Sequence, residues 1–436
     1  MILKRIHVFN FLVIFALVCA FALLTFSGCA TSTNWVRNTI KKNYYRFDGD
    51  YSSLSNLKGL SVNEMMEKLD RYSAYYTRDE FAAVSADNAG SKSGIGISYS
   101  FSQGAGVVIH SVVGNSPAKK AGLKAGDVVT SATVGGENVQ FSESSDFSSF
   151  VTARDTGENF TLYLAGGSAV TLAKAEYTAS YASMYTNDTV YEIEYDSNGG
   201  RVVKGKNGIA ELPEGTAYMY LSQFYGGAAE EVAALISVFN QCECTSLILD
   251  LRNNGGGYVE LMSQIGGRFT SSVVDGNAVS IKAVYKDGRE EVEYCYNYSQ
   301  NVVPAGTNVY VMANHNTASA SEALIGVLVS YNILKYENIF LSEYEGYAAK
   351  SYGKGIMQRT FENYLTGEAL KLTVAGIYWA NGITIHDVGL TASKASNDPV
   401  APDNCSVAPA SDDIVNIGYD DELAYVIKKI ISDTQL

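Results

Sequence analysis

The spacing of hydrophobic residues changes along the chain and divides it into parts with different secondary structure. Residues 30–91 have a helical pattern with two capping boxes, Ser61–Glu64 and Thr77–Glu80, in which a hydroxyl residue precedes a glutamate by three positions. From Gly94 onwards, short alternating segments predict strands. From residue 212 to the end, apolar strand and helix patterns alternate. We therefore predict a mixed α/β (α+β) chain of several domains.

Two strand–turn–helix units within residues 212–436 are the clearest predicted elements. Ser246–Leu251 predicts a buried strand, which is followed by a glycine turn and an amphipathic helix over Tyr258–Phe269. Asn308–Ala313 predicts a second strand, which is followed by a turn and a helix over Ser319–Tyr331. This repetition predicts parallel strands whose turns meet at one edge of the sheet, where open α/β sheets place their functional residues.

The segments before these two units are less regular. Tyr218–Phe224 predicts a strand and Gly227–Phe239 predicts a helix at the start of the same α/β region. Residues 167–211 are polar and contain several tyrosines and glycines, so we predict connecting strands with turns there. A further helix is expected from about Ser145 to Arg154.

The first residues have the pattern of an export signal. Lys4 and Arg5 precede an apolar run, Val8–Phe26, and small residues then lead to Cys29. The sequence Phe26-Ser27-Gly28-Cys29 resembles the lipobox of bacterial lipoproteins, in which the cysteine becomes the lipidated first residue of the mature chain. We therefore expect residues 1–28 to be a lipoprotein signal peptide. A transmembrane anchor is the alternative, because the run is long enough to span a bilayer.

The charge balance excludes some partners. The 436 residues carry a net charge of -14, and removal of residues 1–28 makes it -16 because Lys4 and Arg5 leave with no acidic residue. Nucleic-acid sites need clustered basic residues, so we expect no nucleic-acid partner. Anionic membrane surfaces should repel the folded part, which suits an acidic body held outside the cell membrane by acyl chains.

Cysteine usage points away from a metal site. Four cysteines remain after the signal and Cys29, namely Cys242, Cys244, Cys295 and Cys405. The spacing of Cys242 and Cys244 is too short for an ordinary zinc site and lacks a histidine partner. We expect buried thiols or one disulfide, with no metal and no cofactor.

Two motifs follow one another within residues 92–166. The loop Gly94-Ile95-Gly96-Ile97 is followed at a suitable distance by residues 116–127, SPAKKAGLKAGD, in which Ser116 suits a helix N-cap and Gly122 a helix C-terminus. Together the motifs closely resemble a PDZ domain over residues 92–166. In such a domain the glycine loop lets several backbone N–H groups approach a peptide's C-terminal carboxylate, while the peptide adds a strand to the sheet edge. The resemblance implies that this domain binds protein or peptide C-termini.

Three motifs occur in a fixed order in the second half of the chain. They are Asp250-Leu251-Arg252-Asn253-Asn254-Gly255-Gly256-Gly257, Thr317-Ala318-Ser319-Ala320-Ser321-Glu322 and Tyr352-Gly353-Lys354-Gly355-Ile356-Met357-Gln358. Together they resemble the carboxyl-terminal-processing (tail-specific) proteases, which are Ser-Lys peptidases with a PDZ domain. Leu69–Tyr76 and Ser222–Phe224 extend the resemblance, so that it covers most of residues 60–395.

The resemblance implies the fold and the roles of individual residues. It implies a ClpP/crotonase-like protease core over residues 212–436, with an inserted PDZ domain and the N-terminal helical segment. It also makes Ser319 the nucleophile, Lys354 the general base and Gln358 the residue that orients Lys354. The oxyanion hole would be the N–H of Ala320 together with one N–H from Gly255, Gly256 or Gly257.

The residue chemistry supports a lysine base independently. Ser319 stands at a predicted helix N-terminus, which favours developing negative charge, although an ordinary N-cap serine has the same position. His110, His315 and His386 are the histidines that remain after the signal. His110 is expected on a PDZ strand and His386 in a late turn, whereas His315 lies four residues before Ser319 and leaves a Ser-His pair open. A lysine base must be neutral, so its pKa must fall below the usual value of about 10.4 through burial.

The chain departs from the family pattern in three places. Ser319 and Lys354 are 35 residues apart, which is longer than usual, because Tyr344–Lys350 is inserted. Ser330 stands where some members have an aspartate, and Trp379–Gly382 replaces the commoner Thr-Pro-x-Gly. These departures leave the dyad in place and bear on substrate preference and turnover.

We therefore expect a lipid-anchored, extracytoplasmic serine endopeptidase whose substrates are proteins or peptides with free C-termini. One alternative is a peptide-binding lipoprotein that has lost turnover, for which the long insertion is the motive. Another is an acyl-chain or cell-wall hydrolase that uses Ser319 with His315.

Overall fold

The computed structural model describes residues 32–196, 198–343, 346–391, 405–408 and 420–434. Its helices are 32–43 (α1), Val62–Met66 (α2), Arg78–Asn88 (α3), Pro117–Lys120 (α4), Ser144–Thr152 (α5), Ala228–Gln241 (α6), Val259–Thr270 (α7), Ala320–Ser330 (α8) and Asp421–Thr434 (α9). Two short 3₁₀ turns occur at Ser52–Leu54 and Tyr336–Asn338. No helix of these residues is long and apolar enough to cross a membrane, and the Val8–Phe26 run and Cys29 lie outside them.

The strands of the described residues fall into four sheets. In chain order they are Ala74–Tyr76 (β1), Ser91–Gly94 (β2), Ile97–Ser102 (β3), Gly106–Val112 (β4), Val128–Val134 (β5), Glu137–Gln140 (β6), Asn159–Leu164 (β7), Ala169–Ala173 (β8), Ala175–Thr178 (β9), Ala182–Tyr185 (β10), Thr189–Asp196 (β11), Gly199–Lys206 (β12), Thr216–Leu221 (β13), Ser246–Asp250 (β14), Val279–Tyr285 (β15), Glu290–Tyr294 (β16), Asn308–Ala313 (β17), Ile339–Leu341 (β18), Ile356–Glu362 (β19), Ala369–Tyr378 (β20) and Ser406–Val407 (β21). The predicted strand over Asn308–Ala313 has these bounds, and the predicted helices of the α/β region agree within two residues.

The chain forms two compact units. Among the described residues, the first contains those up to Val84 together with Val284–Glu290 and Ile356–Gly376, and the second contains the others. In the first unit β1 and β19 flank β20 in antiparallel pairing, with Ala74 opposite Lys371. The capping boxes predicted at Ser61–Glu64 and Thr77–Glu80 are both present. Residues 30–91, which the sequence predicts to be helical, also contain the short strand β1.

A six-stranded sheet in the second unit carries the PDZ-like region. Its order is β3-β4-β5-β7-β8, with β6 on β5, so β3 is an edge strand of this sheet. Four phenylalanines of its core pack edge to face, namely Phe141, Phe147, Phe150 and Phe160. Ser116 caps α4 as predicted, because its side chain accepts a hydrogen bond from the N–H of Lys119. The sheet extends to Ala173, since β8 pairs along β7.

The second unit also contains an eight-stranded sheet, in the order β12-β11-β10-β13-β14-β17-β18-β21. The predicted parallel pairing is confirmed, with β13 beside β14 and β14 beside β17. Alternate residues of β14 face opposite layers: Leu247 and Leu249 pack in a cluster with α6, α7 and α8, whereas Ile248 packs in a cluster with α9. The carboxyl ends of β14 and β17 therefore lie side by side, as the sequence predicts.

Arg252 follows β14 and ties it to the last helix. Its guanidinium is almost fully buried and pairs with Asp250, with Asp420 and with Glu422 at the start of α9. Burial raises the pKa of Glu422, and the nearby Arg252 charge opposes that change. One buried guanidinium is thus the counterion of three buried carboxylates, one at the end of β14 and two at the start of α9.

Four cysteines lie among the described residues, and all are free thiols. Cys244, Cys295 and Cys405 are buried, whereas Cys242 is exposed at the end of α6. The expectation of buried thiols is therefore confirmed for three of them and wrong for Cys242. A disulfide does not occur within these ranges of the structure.

We predict that Arg252→Met lowers the free energy of unfolding by about 3–5 kcal/mol, because three buried acids lose their counterion. Arg201→Met is the matched control, since Arg201 pairs with Glu194 at the surface with 61% of its side chain exposed. That change should cost less than about 1 kcal/mol. Urea unfolding followed by circular dichroism checks both variants, and equal shifts of the midpoint would contradict the assigned role of Arg252.

Candidate active site

The turn between β17 and α8 presents Ser319. Its backbone has φ 59° and ψ -115°, a region that residues with a side chain rarely occupy. Strained residues of this kind cluster at functional sites, and a sharp strand-to-helix turn is one way in which a nucleophilic serine is exposed. The hydroxyl thus stands at the N-terminus of α8, where the free N–H groups of the first turn favour negative charge.

Glu322 joins the turn of Ser319 to the loop of Lys354. This carboxylate is fully buried. Its Oε2 accepts hydrogen bonds from the amides of Ser319 and Lys354, each at 2.9 Å. Its Oε1 accepts from the Gly353 amide at 2.7 Å and from the Ser351 hydroxyl. Because both amides bond the same oxygen, the nitrogens of Ser319 and Lys354 lie no farther apart than twice 2.9 Å.

The surroundings of Glu322 act on its charge in two directions. Burial raises the pKa of Glu322, and the hydrogen bonds from Ser351, Gly353, Lys354 and Ser319 oppose that effect. All four partners are donors, so the ionised carboxylate fits them and a protonated one would turn its own donor toward them. The four donors therefore favour the ionised form of Glu322, whereas burial favours the neutral form and raises its pKa overall.

The loop of Lys354 is fixed on a second side as well. Lys354 is half-buried between Gly353 and Gly355. The Gly353 carbonyl accepts a hydrogen bond from the Asp387 amide at 2.8 Å, and the Ser351 hydroxyl accepts one from the Leu390 amide. These contacts determine where the backbone of Lys354 lies.

The glycine turn after β14 packs directly on the Ser319 turn. Asn254 is buried, and its Oδ1 accepts the Gly256 amide at 2.9 Å while its backbone oxygen accepts the Ala318 amide at 3.0 Å. Gly256 has φ +98°, and a Cβ there would lie 2.8–2.9 Å from atoms of Ala318, Ser319 and Ala320. The Gly256 N–H is therefore engaged by Asn254, so Gly255 and Gly257 are the better candidates for an oxyanion donor beside Ala320.

Asparagines join the same two turns at their other end. The Oδ1 of Asn253 accepts hydrogen bonds from Asn314 and Asn316 at 3.0 and 3.1 Å. The Oδ1 of Asn314 accepts from the Asn253 amide in return. Side-chain amides can satisfy irregular backbone in this way where no ladder is available. Both candidate turns are thus fixed against each other.

His315 takes part in an aromatic cluster near this site. Its ring stacks on Tyr347 at a centroid distance of 3.8 Å and lies 5.5 Å from Tyr352. Burial and the nearby charge of Lys350 lower the pKa of His315, so its neutral form is favoured. Among the described residues, no hydrogen bond joins His315 to Ser319, and this geometry does not favour the Ser-His alternative.

The remaining predicted residues lie elsewhere. Gln358 is on β19 of the first unit, where its Nε2 donates to the Thr373 hydroxyl at 3.2 Å. In the PDZ-like region the Ile95 carbonyl accepts the Ala118 amide and the Gly96 carbonyl accepts the Val113 amide. These bonds fix the loop from Gly94 to Ile97 on α4 and on Val113, the residue that follows β4.

A cavity of about 510 Å³ lies in the second unit beside the PDZ-like region. Residues of the PDZ-like region and residues of the eight-stranded sheet both line this cavity, and its wall reaches the turn after β14. The lining residues include Ile97, His110, Lys119, Glu192, Tyr220 and Asn253. Lys119 of α4 and Glu192 of β11 form an ion pair at 2.8 Å. The space therefore runs between the PDZ-like sheet and the eight-stranded sheet, and it reaches Asn253 in the turn after β14.

Sequence reasoning assigned no role to Glu322 or to the side chain of Asn254. The Ser319–Glu322 spacing is that of an ordinary capping box, which was the available signal. Glu322 also accepts hydrogen bonds from Gly353 and Lys354, which lie in a loop 31 and 32 residues later in the chain. Local spacing cannot report that contact.

Comparison with known proteins follows the same division of the chain. Residues 215–393 match peptidase family S41, and residues 93–172 match the PDZ domain. The chain is 25% identical to a probable CtpA-like serine protease of Staphylococcus saprophyticus, over 98% of this chain and 80% of that protein. It is also 25% identical to a chloroplastic C-terminal processing peptidase of Tetradesmus obliquus, over 76% of this chain and 66% of that protein.

One solved structure supports the fold. A putative S41 protease from Bacteroides fragilis is similar with a TM-score of 0.54 and 15% identity, covering 82% of this chain and 88% of that chain. The architecture is thus a mixed α/β multidomain protein with an S41 peptidase domain and a PDZ domain. The relatives reported above are named as a probable serine protease and a C-terminal processing peptidase, and the S41 match covers residues 215–393 of this chain.

We predict that Gly256→Ala lowers kcat about a hundredfold or more, because its Cβ would displace Ser319 and the Ala320 amide, and one lost oxyanion donor has that effect. Gly166→Ala is the control, since Gly166 lies in the turn between β7 and β8 and a Cβ there meets nothing within 4 Å. Steady-state cleavage of an unstructured protein checks both variants. Comparable activity of the two would show that the close packing at Gly256 is unimportant.

We also predict that Glu322→Gln lowers kcat at least about tenfold, the equivalent of roughly 1.4 kcal/mol in the barrier. The new NH₂ group would face two of the four donors, either those of Ser319 and Lys354 or those of Ser351 and Gly353. Because two donors cannot bond each other, the backbone on that side would have to move. Glu231→Gln is the matched control, because Glu231 is equally buried and accepts from the Tyr181 and Ala182 amides. Both variants should lose stability, but only Glu322→Gln should lose kcat, and a similar loss of kcat in both would contradict the role of Glu322.

Proposed function

We propose that the protein is an extracytoplasmic serine endopeptidase that binds protein C-termini through its PDZ domain and cleaves peptide bonds with a Ser319/Lys354 dyad. The observation that carries this proposal is the shared carboxylate oxygen of Glu322, which bonds both the Ser319 and the Lys354 amides. The strained backbone of Ser319 at the start of α8 supports it further.

In the proposed reaction, neutral Lys354 accepts the proton of the Ser319 hydroxyl as the oxygen attacks the scissile carbonyl. The amine of the leaving fragment then takes this proton, and an acyl-enzyme on Ser319 remains. Water hydrolyses the ester with Lys354 again as the base. The Ala320 N–H and one glycine N–H would stabilise the negative oxygen, in addition to the N-terminus of α8.

Peptide capture is proposed for the loop Gly94–Ile97 and the adjacent strand β3. An edge strand can accept a further strand, and β3 is at the edge of its sheet. Gln358 is proposed to orient Lys354, as the family resemblance implies. The cavity between the two sheets offers space for an extended segment between the PDZ domain and the turn of Asn253.

We further propose that Cys29 is lipidated and holds the protein at the outer face of the cell membrane. The support is the sequence pattern of residues 1–29, with its basic start, apolar run and lipobox-like end. An acidic folded part is compatible with this location, since acyl chains rather than surface charge would provide the attachment.

We predict that Ser319→Ala and Lys354→Ala each abolish cleavage of a loosely folded protein with an apolar C-terminus. Ser330→Ala is the matched control on the same helix, because the Ser330 hydroxyl is buried without a hydrogen-bond partner among the described residues. Its activity should remain close to that of the parent. Gel-based cleavage assays give the measurement.

Full activity of either dyad variant would overturn the dyad. The rival function is that of a peptide-binding lipoprotein without turnover, for which the Tyr344–Lys350 insertion is the motive. A reactive serine probe distinguishes this rival from a peptidase, because it tests whether Ser319 can be acylated. Binding of C-terminal peptides without acylation of Ser319 would support that rival.

A further inference from the structure

Two apolar side chains at the tip of the β19–β20 hairpin are almost fully exposed. Tyr364 is 91% and Leu365 is 93% exposed, whereas the next most exposed large hydrophobic residue of the described chain, Tyr347, is 52% exposed. Tight turns usually contain glycine, asparagine, aspartate or serine, since these residues suit turn geometry and water. An adjacent tyrosine and leucine at such a tip require an explanation other than the turn itself.

The hairpin tip is well ordered by its own hydrogen bonds. The amides of Thr366 and Gly367 donate to the Asn363 carbonyl, and the Asn363 amide donates to the Glu368 carbonyl at 2.8 Å. The Leu365 amide donates to the Asn363 side chain. The backbone is thus satisfied within the loop, and the two apolar side chains are held outward.

The same hairpin lies next to the start of the described chain. The Glu368 carboxylate is hydrogen-bonded by the hydroxyls of Ser32, Tyr75 and Thr366, which outweigh burial and lower its pKa. Ser32 is itself buried, with 8% exposure, and belongs to the same compact unit as the hairpin. Ser32 follows Cys29 by three residues. An extended chain spans about 3.5 Å per residue, so Cys29 is within about 11 Å of Ser32.

The chemistry of the tip favours an apolar contact over an electrostatic one. Arg78 lies beside Gly367, but Asp79 and Glu80 follow it in sequence, so the local charge is not basic. Tyrosine prefers the membrane–water interface, and leucine prefers the acyl region below it. A bilayer surface therefore suits the pair better than a charged partner does.

We propose that Tyr364 and Leu365 enter the outer surface of the lipid bilayer that holds Cys29. The tip is then a second attachment point of the first unit, close to the first. This inference rests on the proposed lipid anchor at Cys29. Two attachment points would restrict rotation of that unit about its N-terminus.

The test uses the full chain with its anchor, reconstituted into vesicles of phosphatidylethanolamine and phosphatidylglycerol whose acyl chains are brominated. Tyr364→Trp places a fluorophore at the tip, and Tyr294→Trp is the control, since Tyr294 is 51% exposed on β16. The emission of native Trp35 and Trp379 is subtracted with the parent protein. We expect the tryptophan at position 364 to show a blue shift and loss of emission by bromine quenching, and the one at position 294 to show neither.

A second variant combines Tyr364→Trp with Leu365→Asp, which places a charge where the bilayer excludes it. We expect its quenching to disappear while cleavage of an unanchored protein is unchanged. Unquenched emission from the single Tyr364→Trp variant would overturn the proposal. A blue shift that depends on protein concentration without quenching would overturn it as well, because a second copy would then cover the tip.

Two further measurements distinguish failure of this inference from failure of the proposed function. Mass spectrometry of the N-terminal peptide reports acylation of Cys29, and cleavage assays report the peptidase. An acylated, active protein whose tip is not quenched contradicts the tip contact alone.

Discussion

The buried carboxylate of Glu322 is the interaction on which the candidate site depends. Moving an ionised carboxylate out of water costs several kcal/mol unless its oxygens are fully hydrogen-bonded. Four donors meet it here, and three of them are backbone amides. Because amides cannot turn away as side chains can, the carboxylate fixes the two chain segments that carry Ser319 and Lys354. The insertion between these segments can therefore vary in length while their backbones keep one spacing.

The turn that faces Glu322 is constrained in the same way. Ser319 adopts a backbone conformation that costs free energy, and such strain persists only where the surroundings determine it more than once. Glu322 holds the Ser319 amide, and Asn254 holds the neighbouring Ala318 amide. Gly256 fits against both because it has no side chain. Each hydrogen bond contributes only a small free energy, but together they hold the backbone of Ser319 in its strained conformation.

Much of this fold follows from local pattern. The parallel strands β13, β14 and β17, the helices that follow them and the capped helix at Ser116 all have local signals of period, cap or turn, and the sequence predicts them. Contacts between distant residues lack such signals. Examples are Arg252 with Glu422, which are 170 residues apart, and Ser73 with Thr373, which are 300 apart. The same limit explains the site: the Ser319 turn is predictable, but its connection through Glu322 to Lys354 is a tertiary contact.

Two departures from the family pattern meet the segment that carries Ser319. Trp379 is buried against α8 at Gly326, where an added Cβ would lie 2.3 Å from the indole ring. Tyr347 of the insertion stacks on His315, four residues before Ser319. Neither residue donates a hydrogen bond to Glu322, whose donors among the described residues are Ser319, Ser351, Gly353 and Lys354. The hydrogen bonds that join the Ser319 and Lys354 backbones through Glu322 are separate from these contacts. We therefore expect the departures to alter the surface beside Ser319 rather than the proposed proton transfer.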